Sequence, residues 1–218
     1  MRLNRYLAYR YGVSRRKADD AISGGDVYVN GDPAQLGQQI DVNIDRIDWP
    51  GMQKISIKPT IILLHKPVGY VSSRSGQGSQ SLYELLPEKY HHLKIAGRLD
   101  KDSSGLILLT NDGQLLHEMT HPSNQKNKRY IVSLDKPLEK EHMNEIIFGV
   151  DISDERPSRF HISDYQDARS YVVDISEGRN RQIRRTFEAL GYLVESLHRI
   201  MIDEHTIDGL ETGQHKQL

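Results

Sequence analysis

Four successive aliphatic side chains, Leu106-Ile107-Leu108-Leu109, stand between a Gly/Ser/Asp loop and an Asn-Asp-Gly turn in GRLDKDSSGLILLTNDG, Gly97 to Gly113. An unbroken apolar run bounded by turn residues reads as a buried strand, so the chain must build a packed core around it. Two carboxylates, Asp100 and Asp102, are set at the root of that strand. Asp and Ser are common turn formers, and turn chemistry alone accounts for many such loops. The other motifs of the chain bear on whether Asp100 does more.

With 218 residues, 37% of them hydrophobic, the chain can form one good core plus a small module, or two modest domains. Cysteine is absent, which excludes disulfides, thiolate nucleophiles and Cys-ligated zinc. Arginines interrupt every apolar stretch of the opening MRLNRYLAYRYG, and no stretch approaches the ~20 apolar residues of a membrane span. A cytoplasmic protein without a membrane partner is expected. The net charge is only −1, yet basic residues cluster: Arg2, Arg5, Arg10, Arg15, Arg16 and Lys17; Lys126, Lys128 and Arg129; Arg179, Arg181, Arg184 and Arg185. Any one cluster can be a solvated helix face, but local patches set the field that a phosphate backbone meets.

Leu3, Leu7 and Tyr11 recur at helical spacing before Gly12, and Ser14 is placed to cap a second helix that ends at Gly24-Gly25. Asn30-Gly31 in DVYVNGD is a hairpin signal. Through RLNRYLA, GVSRRKADDAI and DVYVNGD, residues 1–48 resemble the alpha-L RNA-binding domain named after small-subunit ribosomal protein number four. The resemblance implies that Arg2, Arg5, Arg15, Arg16 and Lys17 face structured RNA. Residues 49–58 read as a linker and 59–218 as a second, larger domain.

In that domain SRSGQGSQ reads as a mobile loop and SLYELLPEKY as a short amphipathic helix. Strands are expected at 106–110, 130–134, 159–162, 171–175 and 192–200, with helices at 114–120, 138–148 and 181–190. Strands and helices mix without a regular βαβ repeat, giving an α+β class with a mixed sheet. HEMTH, His117 to His121, matches the zinc-hydrolase pattern H-E-x-x-H. Pro122 ends the helix at the second histidine and no third ligand stands out, so His117, Glu118 and His121 are read as an ordinary helix end and no metal is expected.

In SEGRNRQIRRTFEALGY, Ser176 to Tyr192, Ile183, Phe187 and Leu190 face a core and Arg184 lies beside their stripe. A guanidinium there needs a counter-charge: Glu188, a phosphate, or Asp100. Taken with GRLDKDSSGLILLTNDG, the Lys-x-Tyr of NKRYIV, LLHKPVGYVSS and LHRIMI, this segment resembles bacterial ribosomal RNA pseudouridine synthases of the RsuA type, over essentially the whole chain.

That resemblance implies isomerisation of a uridine in ribosomal RNA, with no cofactor because no redox change or external energy is involved. Asp100 would be nucleophile or base, and Arg184 its ion-pair partner, since an opposite charge within ~4–6 Å favours an ionised carboxylate. Tyr130 would stack on the uracil and Ile183 pack against it, with Arg98, Lys101, Lys128, Arg179 and Arg181 holding RNA. The base would have to be flipped out of its stack. A monomer acting on ribosomal RNA or an assembly intermediate is expected, with a slight lean to the large subunit. A noncatalytic RNA-binding or ribosome-assembly protein is the alternative.

Overall fold

In the computed structural model, which describes residues 1–54, 58–76 and 78–218, helix α1 (Leu3–Tyr11) buries Leu3, Leu7 and Tyr11. It stops at Gly12, whose φ of 66° is the left-handed conformation that glycine adopts without strain. The Ser14 hydroxyl accepts the Lys17 N–H at 3.1 Å and starts α2 (Arg15–Ser23), which turns Ala18, Ala21 and Ile22 inward. Strands β1 (Tyr28–Val29) and β2 (Asp32–Pro33) form the hairpin around Asn30-Gly31, and β3 (Ile47–Asp48) pairs with the other edge of β1. Trp49 then closes this small core, 8% exposed with its ring 5.3 Å from that of Tyr11. The expected linker therefore begins inside the first unit, which runs from Met1 to Pro59. Residues 55–57 of that linker, and Gln77 of the expected Gly/Ser loop, lie outside the described residues.

The second unit, Thr60–Leu218, contains β4 (Ile61–Lys66), β5 (Lys94–Ala96), β6 (Ser104–Thr110), helix α3 (Gly113–Thr120) and β7 (Lys128–Leu134). After these come α4 (Lys140–Phe148), β8 (His161–Asp164), β9 (Ser170–Ile175), α5 (Gln182–Ala189), β10 (Val194–Ile202), β11 (His205–Thr206) and β12 (His215–Gln217). The expected helix at SLYELLPEKY is instead two short 3₁₀ turns, Leu82–Leu85 and Glu88–Tyr90. Pro87 separates them because it cannot donate to a continuous helix. Strands β5, β11 and β12 span two or three residues each, too few for an alternation to register in sequence.

The main sheet runs β12-β4-β6-β10-β7-β9-β8, with β5 on β6 and β11 on β10. Within this mixed sheet β6 and β10 are parallel, while the other neighbours pair antiparallel. The apolar run is buried from both sides. Ile107 and Leu109 join the larger core with α4 and α5, whereas Leu106 and Leu108 join a smaller one with Met119 of α3. A central strand covered on both faces has no wet side, so no polar residue interrupts it.

One transverse row of this sheet positions the chemistry. Lys66 is registered with Gly105, Gly105 with Arg199, Arg199 with Tyr130, and Tyr130 with Val173. By the strand alternation these side chains share the face of the larger core. Gly105, with φ of 112°, has room for nothing more: a Cβ there would sit 2.2 Å from the Arg199 carbonyl oxygen. Gly105→Ala should therefore destabilise the second unit by ~2 kcal/mol or more, through positive-φ strain and overpacking against backbone. Urea denaturation checks this, and an unchanged midpoint would show that β10 can move aside.

Candidate active site

The loop from Gly97 to Ser103 is held chiefly through its carbonyl oxygens. Arg199 Nη2 and Nη1 donate to Gly97 O and Arg98 O, each at 3.4 Å. Arg184 Nη2 donates to Asp102 O at 2.9 Å, and Lys66 Nζ to Ser103 O at 2.6 Å. Ser72 Oγ donates to Leu99 O at 2.7 Å and accepts from Leu99 N–H. Cations from a helix and two strands thus pin the loop's backbone, so the Asp100 carboxylate is set by the rigid sheet beneath it.

Asp100, half-buried, lines a cavity of about 480 Å³ together with Arg98, Tyr130, Arg181, Ile183 and Arg199. The expected pairing of Asp100 with Arg184 is not what the structure shows. Arg181 Nη1 lies 3.6 Å from Asp100 Oδ2 and also makes a two-pronged contact with Asp102, at 3.0 and 2.9 Å. Arg184 faces Asp102 instead, Nε to Oδ2 at 3.4 Å, and its Nη1 donates to Val194 O at 2.8 Å. The difference arises at the start of α5, where Arg181 adopts φ 46° and turns back toward the loop. A left-handed non-glycine residue is a strained conformation, here held by two carboxylates. The hydrogen bond from Arg181 keeps the Asp102 carboxyl below the usual carboxylate range, against the opposing effect of burial.

Tyr130 and Ile183 are buried on the cavity wall, 8% and 6% exposed. Arg98 is exposed at its rim, while Lys101 is turned to Ser79 Oγ at 3.0 Å. Two residues expected to hold RNA are engaged by the chain itself. Arg179 binds Asp154, Glu177 and the carbonyls of Arg156 and Pro157; Lys128 Nζ donates to Lys126 O at 3.0 Å. In the first unit Arg2, Arg15, Arg16 and Lys17 are exposed and Arg5 is half-buried. His117 and His121 stack with ring centroids 4.6 Å apart, and His121 Nδ1 is hydrogen-bonded to Ser123 Oγ. Among the described residues no group of three or more His, Cys, Asp or Glu side chains could hold a metal ion.

Lys66 and Arg199 are the site residues that the motifs did not single out. Arg199 is 1% exposed and also reaches Leu106 O at 2.8 Å and Tyr130 Oη at 3.4 Å. Its signal was present: in β10 it shares parity with the inward-facing Leu197, so a charge occupies a core position.

An acid, an aromatic ring and an aliphatic side chain face one cavity beside cationic side chains, a lining compatible with a planar base on a charged polymer. The RNA pseudouridylate synthase family model matches residues 60–189 and the S4 domain model residues 1–43. The chain belongs to the RNA pseudouridylate synthase family and carries an N-terminal S4 domain. It is 33% identical over 223 residues to the ribosomal small subunit pseudouridine synthase A of Vibrio parahaemolyticus, covering all of this chain and 96% of that protein. To the dual-specificity RNA pseudouridine synthase RluF of Escherichia coli it is 31% identical over 220 residues, covering 100% and 75%. A crystal structure of a pseudouridylate synthase superposes with a TM-score of 0.73 at 32% identity, covering 100% of this chain and 96% of that one.

Burial lowers Lys66 Nζ to about 8, against the opposing charges of Asp100 and Asp102, from an ordinary value of 10.5. Between those values the unfolded chain binds more protons than the folded one, so stability contributed by this group rises with pH across the window. The stability of the wild type relative to Lys66→Met should therefore climb from pH about 8 to about 10. Urea denaturation across that range measures it, and a flat difference would show that Lys66 titrates normally.

Proposed function

We propose that the chain converts a uridine of ribosomal RNA to pseudouridine in the cavity of the second unit, with the base flipped out of its stack. The observation that carries this reading is the half-buried Asp100 facing one cavity with Tyr130 and Ile183. Asp100 acts at the glycosidic carbon as nucleophile or base, Tyr130 stacks on the uracil, and Ile183 closes the opposite side. Arg181 takes the pairing role expected of Arg184, while Arg184 orients the loop through Asp102. Arg98 and Arg181 meet phosphate at the rim. The S4 domain, through Arg2, Arg5, Arg15, Arg16 and Lys17, adds affinity and orientation with little sequence choice.

Several relatives are named for the small ribosomal subunit, which supports small-subunit RNA as the substrate, against the slight lean to the large one stated above. A monomer working in the cytoplasm on an assembly intermediate fits this substrate, since a base buried in a finished particle is hard to extrude.

Tritium release from carbon 5 of labelled uridine tests the reaction, using small- and large-subunit RNA, naked and in particles from cells lacking the gene. Wild type should release tritium from small-subunit RNA and Asp100→Asn should not. RNA binding without release from any substrate would favour the noncatalytic reading. Replacing Arg15, Arg16 and Lys17 by alanine should weaken RNA binding and flatten its log–log salt dependence by roughly 2, at ~0.7–0.9 per lost phosphate contact.

A further inference from the structure

Among the arginines that line the cavity, Arg156, Arg179 and Arg181 each face a carboxylate, and Arg98 is exposed to solvent. Arg199 has no ion pair among the described residues, although it is 1% exposed; carbonyl oxygens and Tyr130 Oη are its partners. Lys66, also on the Gly105 row, is fully buried and likewise has no ion pair among the described residues. A buried guanidinium lacking a counter-ion is costly, and partial negative charges of carbonyls offset only part of that cost. Burial and then the Arg199 charge both push the Lys128 pKa down, so these cations act on one another as well. The resting site thus carries excess positive charge beneath the cavity, with its guanidinium carbon 5.9 Å from the Tyr130 ring centroid.

We propose that Arg199 supplies the charge that balances the uracil anion while the base is detached from its ribose. This rests on the reading of Asp100 and Tyr130 given above. The C1′–N1 bond breaks with its electron pair passing to the ring, and the resulting monoanion spreads over N1, O2 and O4. In the same step Asp100 becomes neutral, either by forming an ester bond to C1′ or by accepting a sugar proton. One negative charge therefore moves from the acid, beside Arg181, to the ring stacked on Tyr130, beside Arg199. When C5 attacks C1′ the acid recovers its charge, by expulsion of the ester oxygen with its pair or by return of the proton. The C5 proton is then lost and N1 gains one, leaving neutral pseudouridine. A phosphate is the other anion such a charge could serve. It would have to touch the guanidinium directly, and Arg199 lies at the cavity floor with 1% of its surface exposed.

The test compares two RNA substrates, one with uridine and one with 5-fluorouridine at the target, under single-turnover conditions with saturating enzyme. Fluorine withdraws electrons and makes the uracil anion easier to release. The readout is disappearance of the target nucleoside from a nuclease digest, for wild type, Arg199→Met, Arg199→Lys and Asp100→Asn. Arg199→Met should lower the rate on uridine by ~10²-fold, the size typical of removing a preorganised charge partner, with the RNA dissociation constant unchanged. Its deficit should shrink on 5-fluorouridine, and Arg199→Lys should retain more of the rate. Equal deficits on the two substrates would overturn the proposal, as would a loss confined to RNA affinity and its salt dependence, the mark of a phosphate contact. Should Arg199→Met not melt cooperatively, the two-substrate comparison with Arg199→Lys decides by the same criterion. Asp100→Asn separates the two layers. If it converts uridine at the wild-type rate, the site reading fails and this proposal with it; if it is inactive while the Arg199 deficits are equal, the proposal alone fails.

Discussion

The second unit depends on a side chain that is missing. Strands β6 and β10 run parallel so closely at Gly105 that a single methyl group would strike the Arg199 backbone. This contact sets the register of β10 between β6 and β7, and so brings Arg199 beside Tyr130. The same strand β6 carries the Asp100 loop at its root. Close backbone approach and the placement of Arg199 follow from one packing constraint.

Charge is distributed over this frame in two layers. The outer layer is paired: Asp100 and Asp102 answer Arg181 and Arg184, and Asp154 and Glu177 answer Arg179 and Arg185. The inner layer, Lys66 and Arg199, is answered mainly by carbonyl oxygens of the loop that it holds. Carbonyl partners let a buried cation act as a structural pin while it keeps its full net charge, which an ion pair would cancel. The S4 domain contributes a different resource, exposed positive charge on short helices, suited to a phosphate backbone and not to a particular base.

The motifs were legible where chemistry and local structure coincide along the chain. Asp100 sits in an uninterrupted motif, and Tyr130, Ile183 and Arg181 came from segments that do line the same cavity. The α1 end at Gly12, the Ser14 cap and the Asn30-Gly31 hairpin followed from backbone preferences that act over a few residues. The partner of Asp100 was another matter. Arg181 and Arg184 are both arginines near the start of one helix, and the left-handed turn at Arg181 decides which of them reaches which carboxylate. Trp49 was placed in a linker because its partner, Tyr11, is 38 positions away in the chain.

Periodicity and turn residues were enough for an α+β domain behind a basic helix pair with a hairpin, for the buried strand, and for the acid placed at its root, because each is a local property of the chain; that the front module binds RNA came from its resemblance to a known domain. Strand order, the parallel pairing of β6 with β10, and the row that joins Lys66, Gly105, Arg199 and Tyr130 arise only when segments distant in sequence pack. Arg199 shows the division most clearly. Within LHRIMI it is one arginine in a mostly apolar segment, and only the close approach at Gly105 buries it beside the ring of Tyr130, with no counter-ion among the described residues.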